Sequence, residues 1–282
     1  MTGERAGREI DFRTGGGRLH ALAWGPAAGD PVLCLPGLTA NARGFDLICE
    51  RLAAAGLRAV ALDLRGRGRS EVTPPGTYGW EAHARDVLEV AAACGTRRVG
   101  IIGWSMGAFV AMQAARTAPG RIARTVLIDA CGQPPDDAMP LIRRAVDRLG
   151  ASYPSADEYL ARLRTLGTIT PWHPLWDGYF RYELVTAAGG VRARTSAEAV
   201  LEDLAYGDAH DPRALWPALD MPTLLLRAAR PLVPDGPWIV PPEDRDAFAR
   251  AVPGAEVLEV DANHYGIVTH PAAPEAIARF FG

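Results

Sequence analysis

The sequence predicts an α/β protein whose mostly parallel sheet opens with an antiparallel hairpin and is interrupted by a helical insertion. Three observations predict it. Continuous apolar runs occur at residues 32–35, 59–62, 99–102 and 125–128, the pattern of strands covered on both faces. Stretches with apolar residues at helical spacing, 45–55, 80–93 and 106–116, fall between those runs, and such alternation specifies a parallel sheet wound with right-handed crossovers. From residue 132 to about residue 217 the rhythm breaks into helix-like pieces separated by Pro and Gly, which reads as an insertion.

Each element follows in order. Residues 8–14 and 18–24 alternate as half-exposed strands do and flank Gly15-Gly16-Gly17, so they form a hairpin. The stretch 106–116 is small and apolar enough to be a central helix packed on the sheet. Strand character resumes at 223–226, followed by a helix near 243–251, a strand at 256–260 and a last helix over 272–281. The core is therefore expected in two pieces, residues 1–131 and 218–282, around a cap of residues 132–217. The Pro/Gly-rich stretch 230–242 has the composition of an ordered surface loop, and no internal repeat is present.

Composition narrows the function classes. With 282 residues, 48% of them hydrophobic and 22% charged, the chain can bury a full-sized core. A net charge of -3 without a dense basic run gives no field to attract phosphate backbones or anionic lipid. Neither nucleic acid nor a membrane surface is expected as partner; a homodimer is compatible with the sequence. Residues 1–10 are polar and charged, and no later stretch could span a bilayer, so a cytoplasmic protein is expected. Cys34, Cys49, Cys94 and Cys131 are dispersed without the pairing of a zinc or redox site and are expected as buried free thiols, although an even count would also permit disulfides.

The chemistry starts at Gly103-Trp104-Ser105-Met106-Gly107, which ends a predicted strand and opens a helix. A nucleophile turned sharply at such a junction occupies strained backbone, so both flanking positions must be Gly. The helix N-terminus beside it favours negative charge developing at the hydroxyl. Gly-rich turns of this kind also bind phosphates or simply pack tightly; the Ser between the glycines favours a nucleophile.

Two further segments accompany this turn: Leu35-Pro36-Gly37-Leu38 after the third strand, and Asp63-Leu64-Arg65-Gly66-Arg67-Gly68-Arg69-Ser70 after the fourth. With them the sequence resembles the α/β-hydrolase family over nearly its whole length. That resemblance implies the α/β-hydrolase fold with a helical cap after the sixth strand, and an esterase- or lactonase-like serine hydrolase. It also implies an oxyanion hole from the backbone N–H groups of Leu38 and Met106, although many members have His where Pro36 stands. The Asp63–Ser70 segment organises a loop in the family, so Asp63 and Arg65 are read as structural.

A serine hydroxyl needs a base within hydrogen-bond reach. His264, between the last strand and the last helix, stands where the family supplies that base. His20, His83, His173, His210 and His270 read as packed or surface residues. The acid is less direct, because Arg230 occupies the position where family members usually carry Asp. Asp129, at the end of the sixth strand, and Asp235, in the Pro/Gly-rich loop, both satisfy the chain order between Ser105 and His264. Asp129 is preferred because a strand end holds a short carboxylate rigidly; Asp235 stays open.

These parts fit attack by Ser105 on a carbonyl carbon, with His264 as base and an acyl-enzyme on the way to product. Oxyanion donors contribute about 3 kcal/mol each in such reactions. The chemistry requires no metal and no organic cofactor. Trp104, Trp172 and Trp176, with Tyr179, Phe180 and Tyr182 nearby, are candidates to line a pocket for a hydrophobic small-molecule ester or lactone, although most aromatic clusters build cores. Carbon–carbon bond hydrolysis and cofactor-free oxygenase, lyase or cyclase chemistry use the same residue types. An intact Ser105 and His264 argue against a non-catalytic receptor, and Ser at position 105 argues against dehalogenase or epoxide hydrolase chemistry, whose family mechanism wants Asp there.

Overall fold

A computed structural model describes residues 7–282. The cytoplasmic expectation rests partly on residues 1–6, which lie outside the described residues. Among the described residues, no helix is long and apolar enough to cross a membrane.

The main sheet is built from β1 (Arg8–Thr14), β2 (Gly17–Trp24), β3 (Pro31–Leu35), β4 (Arg58–Leu62), β5 (Val99–Trp104), β6 (Ile122–Ile128), β10 (Thr223–Ala228) and β11 (Ala255–Val260). Their order across the sheet is β1-β2-β4-β3-β5-β6-β10-β11. The hairpin β1-β2 is antiparallel and joins β4 antiparallel, whereas β4, β3, β5, β6, β10 and β11 run parallel. Burial matches the sequence pattern. The central strands β3, β5 and β10 are buried along their whole length, while the edge strands β1 and β11 expose alternate or scattered positions.

Helices cover both faces because both faces of these strands are apolar. One core layer packs α2 (Trp80–Ala93) and α3 (Met106–Thr117) on the sheet, and the other packs α1 (Asp46–Ala54) and α9 (Ala272–Phe281). α8 (Pro242–Ala251) lies against β11, with Phe248 in the same layer as α2 and α3. Because β3 pairs with β4 on one side and β5 on the other, the strand order reverses between β3 and β5. Loops diverge at such a switch point and leave a crevice at the strand C-termini; the Leu38 loop and Ser105 flank it.

The segment between β6 and β10 carries α4 (Met139–Asp147), α5 (Ala156–Thr165), α6 (Leu175–Tyr182) and α7 (Ala197–Ala209). It is not purely helical as expected. β7 (Ser152–Tyr153), β8 (Leu184–Ala187) and β9 (Gly190–Ala193) form a small antiparallel sheet in the order β7-β9-β8. Strands of two to four residues carry too few positions for an alternation to register in sequence. Their hairpin turns at Gly189 and Gly190, both with positive φ, and a Cβ on Gly190 would stand 2.0 Å from the Tyr153 carbonyl oxygen.

Residues 230–242 also depart from expectation. This segment is not simply a surface loop: a bond from the Leu232 N–H to the Pro237 carbonyl at 2.7 Å folds it back on itself. Leu232, Ile239 and Val240 are buried as a result. Cys34, Cys49 and Cys131 are buried free thiols, and Cys94 is half-buried.

Candidate active site

Ser105 connects β5 to α3 with φ 56° and ψ −125°, a combination costing about 1–3 kcal/mol for a residue with a Cβ. The flanking glycines make it sterically feasible. A Cβ on Gly103 would lie 2.2 Å from the Gly107 carbonyl oxygen, and one on Gly107 would lie 2.0 Å from that of Leu35. Although Ser105 stands at a helix N-cap, its side chain makes no capping bond. The hydroxyl is thus not consumed by the helix and faces the cavity. Met106 is the first residue of α3, where backbone N–H groups have no intrahelical partner.

The structure brings Asp129 and His264 together. Asp129 follows β6, the neighbour of β5, and also has positive φ, 48°. Its N–H reaches the Leu226 carbonyl at 2.7 Å, and its Oδ1 accepts from the Ala228 N–H at 2.9 Å. The remaining oxygen, Oδ2, meets His264 Nδ1 at 2.8 Å, with both residues buried. Asp235 does not take part: it is exposed in the turn Pro234-Asp235-Gly236, with φ 57°. Arg230, where Asp was expected from the resemblance, makes a two-pronged exposed ion pair with Asp261 at 2.6 and 2.7 Å.

Neighbouring residues set the position of His264. The Trp104 indole N–H donates to the His264 carbonyl at 3.2 Å, and the two rings lie 5.7 Å apart. Asn263 ties the loop down by accepting from the Gly266 N–H at 2.8 Å and donating to the carbonyls of Thr168 and Leu232. Ser105 and His264 open into the same cavity, without a direct hydrogen bond between them among the described residues. Such bonds often tighten only when substrate is bound. His264 is also the one histidine among the described residues that lines this cavity.

Leu38, Met106 and Trp104 line the cavity. Trp172 and Trp176 do not, which corrects their assignment. Trp176 is fully buried, in contact with the rings of Trp104, Tyr179 and Phe180, while Trp172 stacks on Phe180 and donates to Asp177. Edge and face contacts among these rings satisfy one another, so they cement the insertion to the core.

Other residues supply the walls. Trp80 and Phe109, with centroids 4.9 Å apart, form one side; Met139, Leu141 and Ile142 of α4 form the roof. Tyr179, Tyr265, Leu232 and Ile239 complete the apolar lining. Phe109 and Tyr265 had a sequence signal, being one helical turn beyond Ser105 and next to His264; Trp80 had none. Burial pushes the Tyr179 and Tyr265 phenols up, so this wall stays uncharged. Cys131, two residues past Asp129, is no rival nucleophile. Burial, followed by the charges of Asp244 and Asp129, pushes its thiol up to about 12. Among the described residues, no group of three or more His, Cys, Asp or Glu is arranged to hold a metal ion.

Comparison with known proteins places this geometry. The family profile described as alpha/beta hydrolase fold matches residues 30–271. A serine hydrolase-like protein of Danio rerio is 36% identical over 132 residues, 46% of this chain and 40% of that protein. N-formylmaleamate deformylase of Pseudomonas putida is 39% identical over 113 residues, 40% of this chain and 41% of the deformylase. The matches thus span well under half of the length of these curated relatives. The crystal structure of an alpha/beta hydrolase from Novosphingobium aromaticivorans superposes with a TM-score of 0.80 at 26% identity, covering 97% of each chain. With a family match across most of its length and the corresponding strand order, the chain belongs to the α/β-hydrolase fold family.

Proposed function

We propose that this protein is a serine hydrolase that cleaves a carboxylic ester or lactone of a medium-sized hydrophobic substrate through Ser105, His264 and Asp129. The observation that carries this is the 2.8 Å bond between Asp129 Oδ2 and His264 Nδ1 at the wall of the cavity that Ser105 lines. An Asp held this way fixes the imidazole tautomer with its proton on Nδ1, leaving Nε2 to accept the serine proton. Ser105 attacks the carbonyl carbon, and the N–H groups of Leu38 and Met106 receive the oxyanion. His264 returns the proton to the leaving oxygen, and water activated by the same ring releases the acyl group. No step needs a metal or organic cofactor.

In this proposal residues 132–217 act as the cap, with α4 over the acyl or ring portion of the substrate. Among the described residues no Arg or Lys lines the cavity, and its acidic members are Asp203 and Asp208. Both carboxylates are ion-paired, Asp203 to Arg67 and Asp208 to Arg143, so the cavity offers no free cation to receive an anion, and its apolar wall disfavours charged substrates. The likeness to N-formylmaleamate deformylase favours a second reading, cleavage of a carbon–nitrogen bond by the same residues. That reading predicts turnover of p-nitroanilides or carbamates above that of esters.

The test combines fluorophosphonate labelling with p-nitrophenyl esters of graded chain length. Wild type is expected to label at Ser105 and to turn over these esters, while Ser105→Ala loses labelling and at least about 10⁴-fold in kcat. A p-nitrophenyl butyrate preference over the succinate half-ester is expected at about tenfold or more. Failure of wild type either to label or to turn over any of these substrates overturns the proposal.

A further inference from the structure

The loop that carries the Leu38 N–H is held from behind by a buried charge. Arg67, fully buried in the loop after β4, donates through Nε to the Leu38 carbonyl and through Nη1 to the Arg65 carbonyl, both at 3.0 Å. Its Nη2 lies 2.5 Å from Asp203 Oδ2. Asp203 belongs to α7, in the segment inserted between β6 and β10. Its carboxylate also meets His83 Nε2 at 2.9 Å and accepts from the Gly79 N–H at 2.6 Å.

Peptide planarity gives these bonds a geometric consequence. The Gly37 carbonyl accepts from the Ala40 N–H at 3.1 Å. That fixes the Gly37–Leu38 peptide, whose N–H is the Leu38 donor. Arg67 fixes the next peptide by its carbonyl. Leu38 is thereby held between two pinned planes, and the direction of its N–H follows from both. A charged donor makes the stronger of such bonds, and a planar guanidinium can serve two carbonyls and a carboxylate together.

Burying an ion pair seldom adds stability over apolar packing, so cohesion by itself gives little reason for this pair. We propose that Arg67 is a positioning residue for the oxyanion loop, locked in place by Asp203, so that docking of the inserted segment and orientation of the Leu38 donor are one event. This rests on the serine hydrolase proposed above.

The test compares wild type, Arg67→Gln and Asp203→Asn, with Arg227→Gln as a control. Arg227 is likewise buried and ion-paired, to Glu259, but bonds to the Val240 carbonyl away from this loop. Turnover of p-nitrophenyl butyrate, the rate of fluorophosphonate labelling and thermal unfolding are measured for each.

Arg67→Gln is expected to lower kcat and the labelling rate together by about 10- to 100-fold with KM within about threefold. Asp203→Asn, which leaves the guanidinium in place, is expected to give the same split at about 3- to 10-fold. Arg227→Gln is expected to lose stability with kcat held. If Arg67→Gln does not fold, Asp203→Asn carries the test. An unchanged kcat in a folded Arg67 or Asp203 variant, or a loss no different from that of Arg227→Gln, overturns the positioning role while leaving the hydrolase intact. An unlabelled and inactive wild type overturns the hydrolase itself, and the positioning role with it.

Discussion

At the residue scale, the two side chains that end β5 and β6 both occupy positive φ, Ser105 at 56° and Asp129 at 48°. Neither is glycine, and each is stabilised by the neighbouring strand. The Ser105 N–H bonds to the Ile128 carbonyl at 3.0 Å, and Asp129 is held by the carbonyl of Leu226 and the N–H of Ala228. Asp129→Asn is a sharp probe, because Asn tolerates this backbone region and keeps an oxygen for Ala228. Its amide would donate to Nδ1 and move the imidazole proton to Nε2, the nitrogen that must accept from serine. A fall in kcat of about 10⁴-fold at unchanged fold is expected, read by ester turnover and circular dichroism. Asp235→Asn, in its exposed turn, is expected to stay within about twofold of wild type; a large loss there would reassign the acid.

At the element scale, the strand–turn–helix of β5 and α3 is possible because two glycines let three pieces of backbone meet. Gly107→Ala would press a methyl against the Leu35 carbonyl oxygen at the end of β3, and backbone on both sides leaves little room to relax. A loss of at least about 2 kcal/mol is expected, seen as a thermal midpoint lower by about 4 °C or more. Gly178 makes the opposite case. It lies inside α6, and a Cβ there would meet nothing within 4 Å. Gly178→Ala is expected to stabilise by about 0.5–1 kcal/mol, since it removes backbone freedom from the unfolded chain. A midpoint that rises for Gly107→Ala or falls for Gly178→Ala would contradict this account of the two sites.

At the scale of the whole molecule, the inserted segment is joined to the core by buried carboxylates as well as by aromatic packing. All 30 basic residues in the chain are arginine, and Arg67 shows what a guanidinium does that an ammonium cannot. Burial by itself would raise the Asp203 pKa; the His83 ring and the Arg67 guanidinium, with bonds from His83 and the Gly79 N–H, hold it well below the usual carboxylate range. Its folded value is thus below the unfolded value of about 3.9. The stability it contributes is present above that pH and is lost as pH falls toward the folded value. In urea unfolding, the advantage of wild type over Asp203→Asn is expected to shrink below about pH 4. An advantage that stayed constant down to about pH 2 would show that this carboxylate is not held in its charged form by the fold.

Sequence alone determined the parallel core and the hairpin, and singled out Ser105 and His264 as candidates, because each rests on local signals: continuous apolar runs, a Gly-x-Ser-x-Gly turn, and position along the chain. It left Asp129 and Asp235 both open as partners of His264, since the contact that brings Asp129 to His264 joins residues 135 positions apart across the C-terminal edge of the sheet. The aromatic residues were legible as a cluster but not by direction: the same side-chain chemistry serves a pocket wall at Trp104 and solid packing at Trp176. Tertiary structure placed Asp129, and not Asp235, against His264 and set the direction of each ring, together with the walls drawn from α2, α3, α4 and the 230–242 segment. A cavity is made by surfaces from distant parts of the chain meeting, and no local pattern encodes which faces will meet.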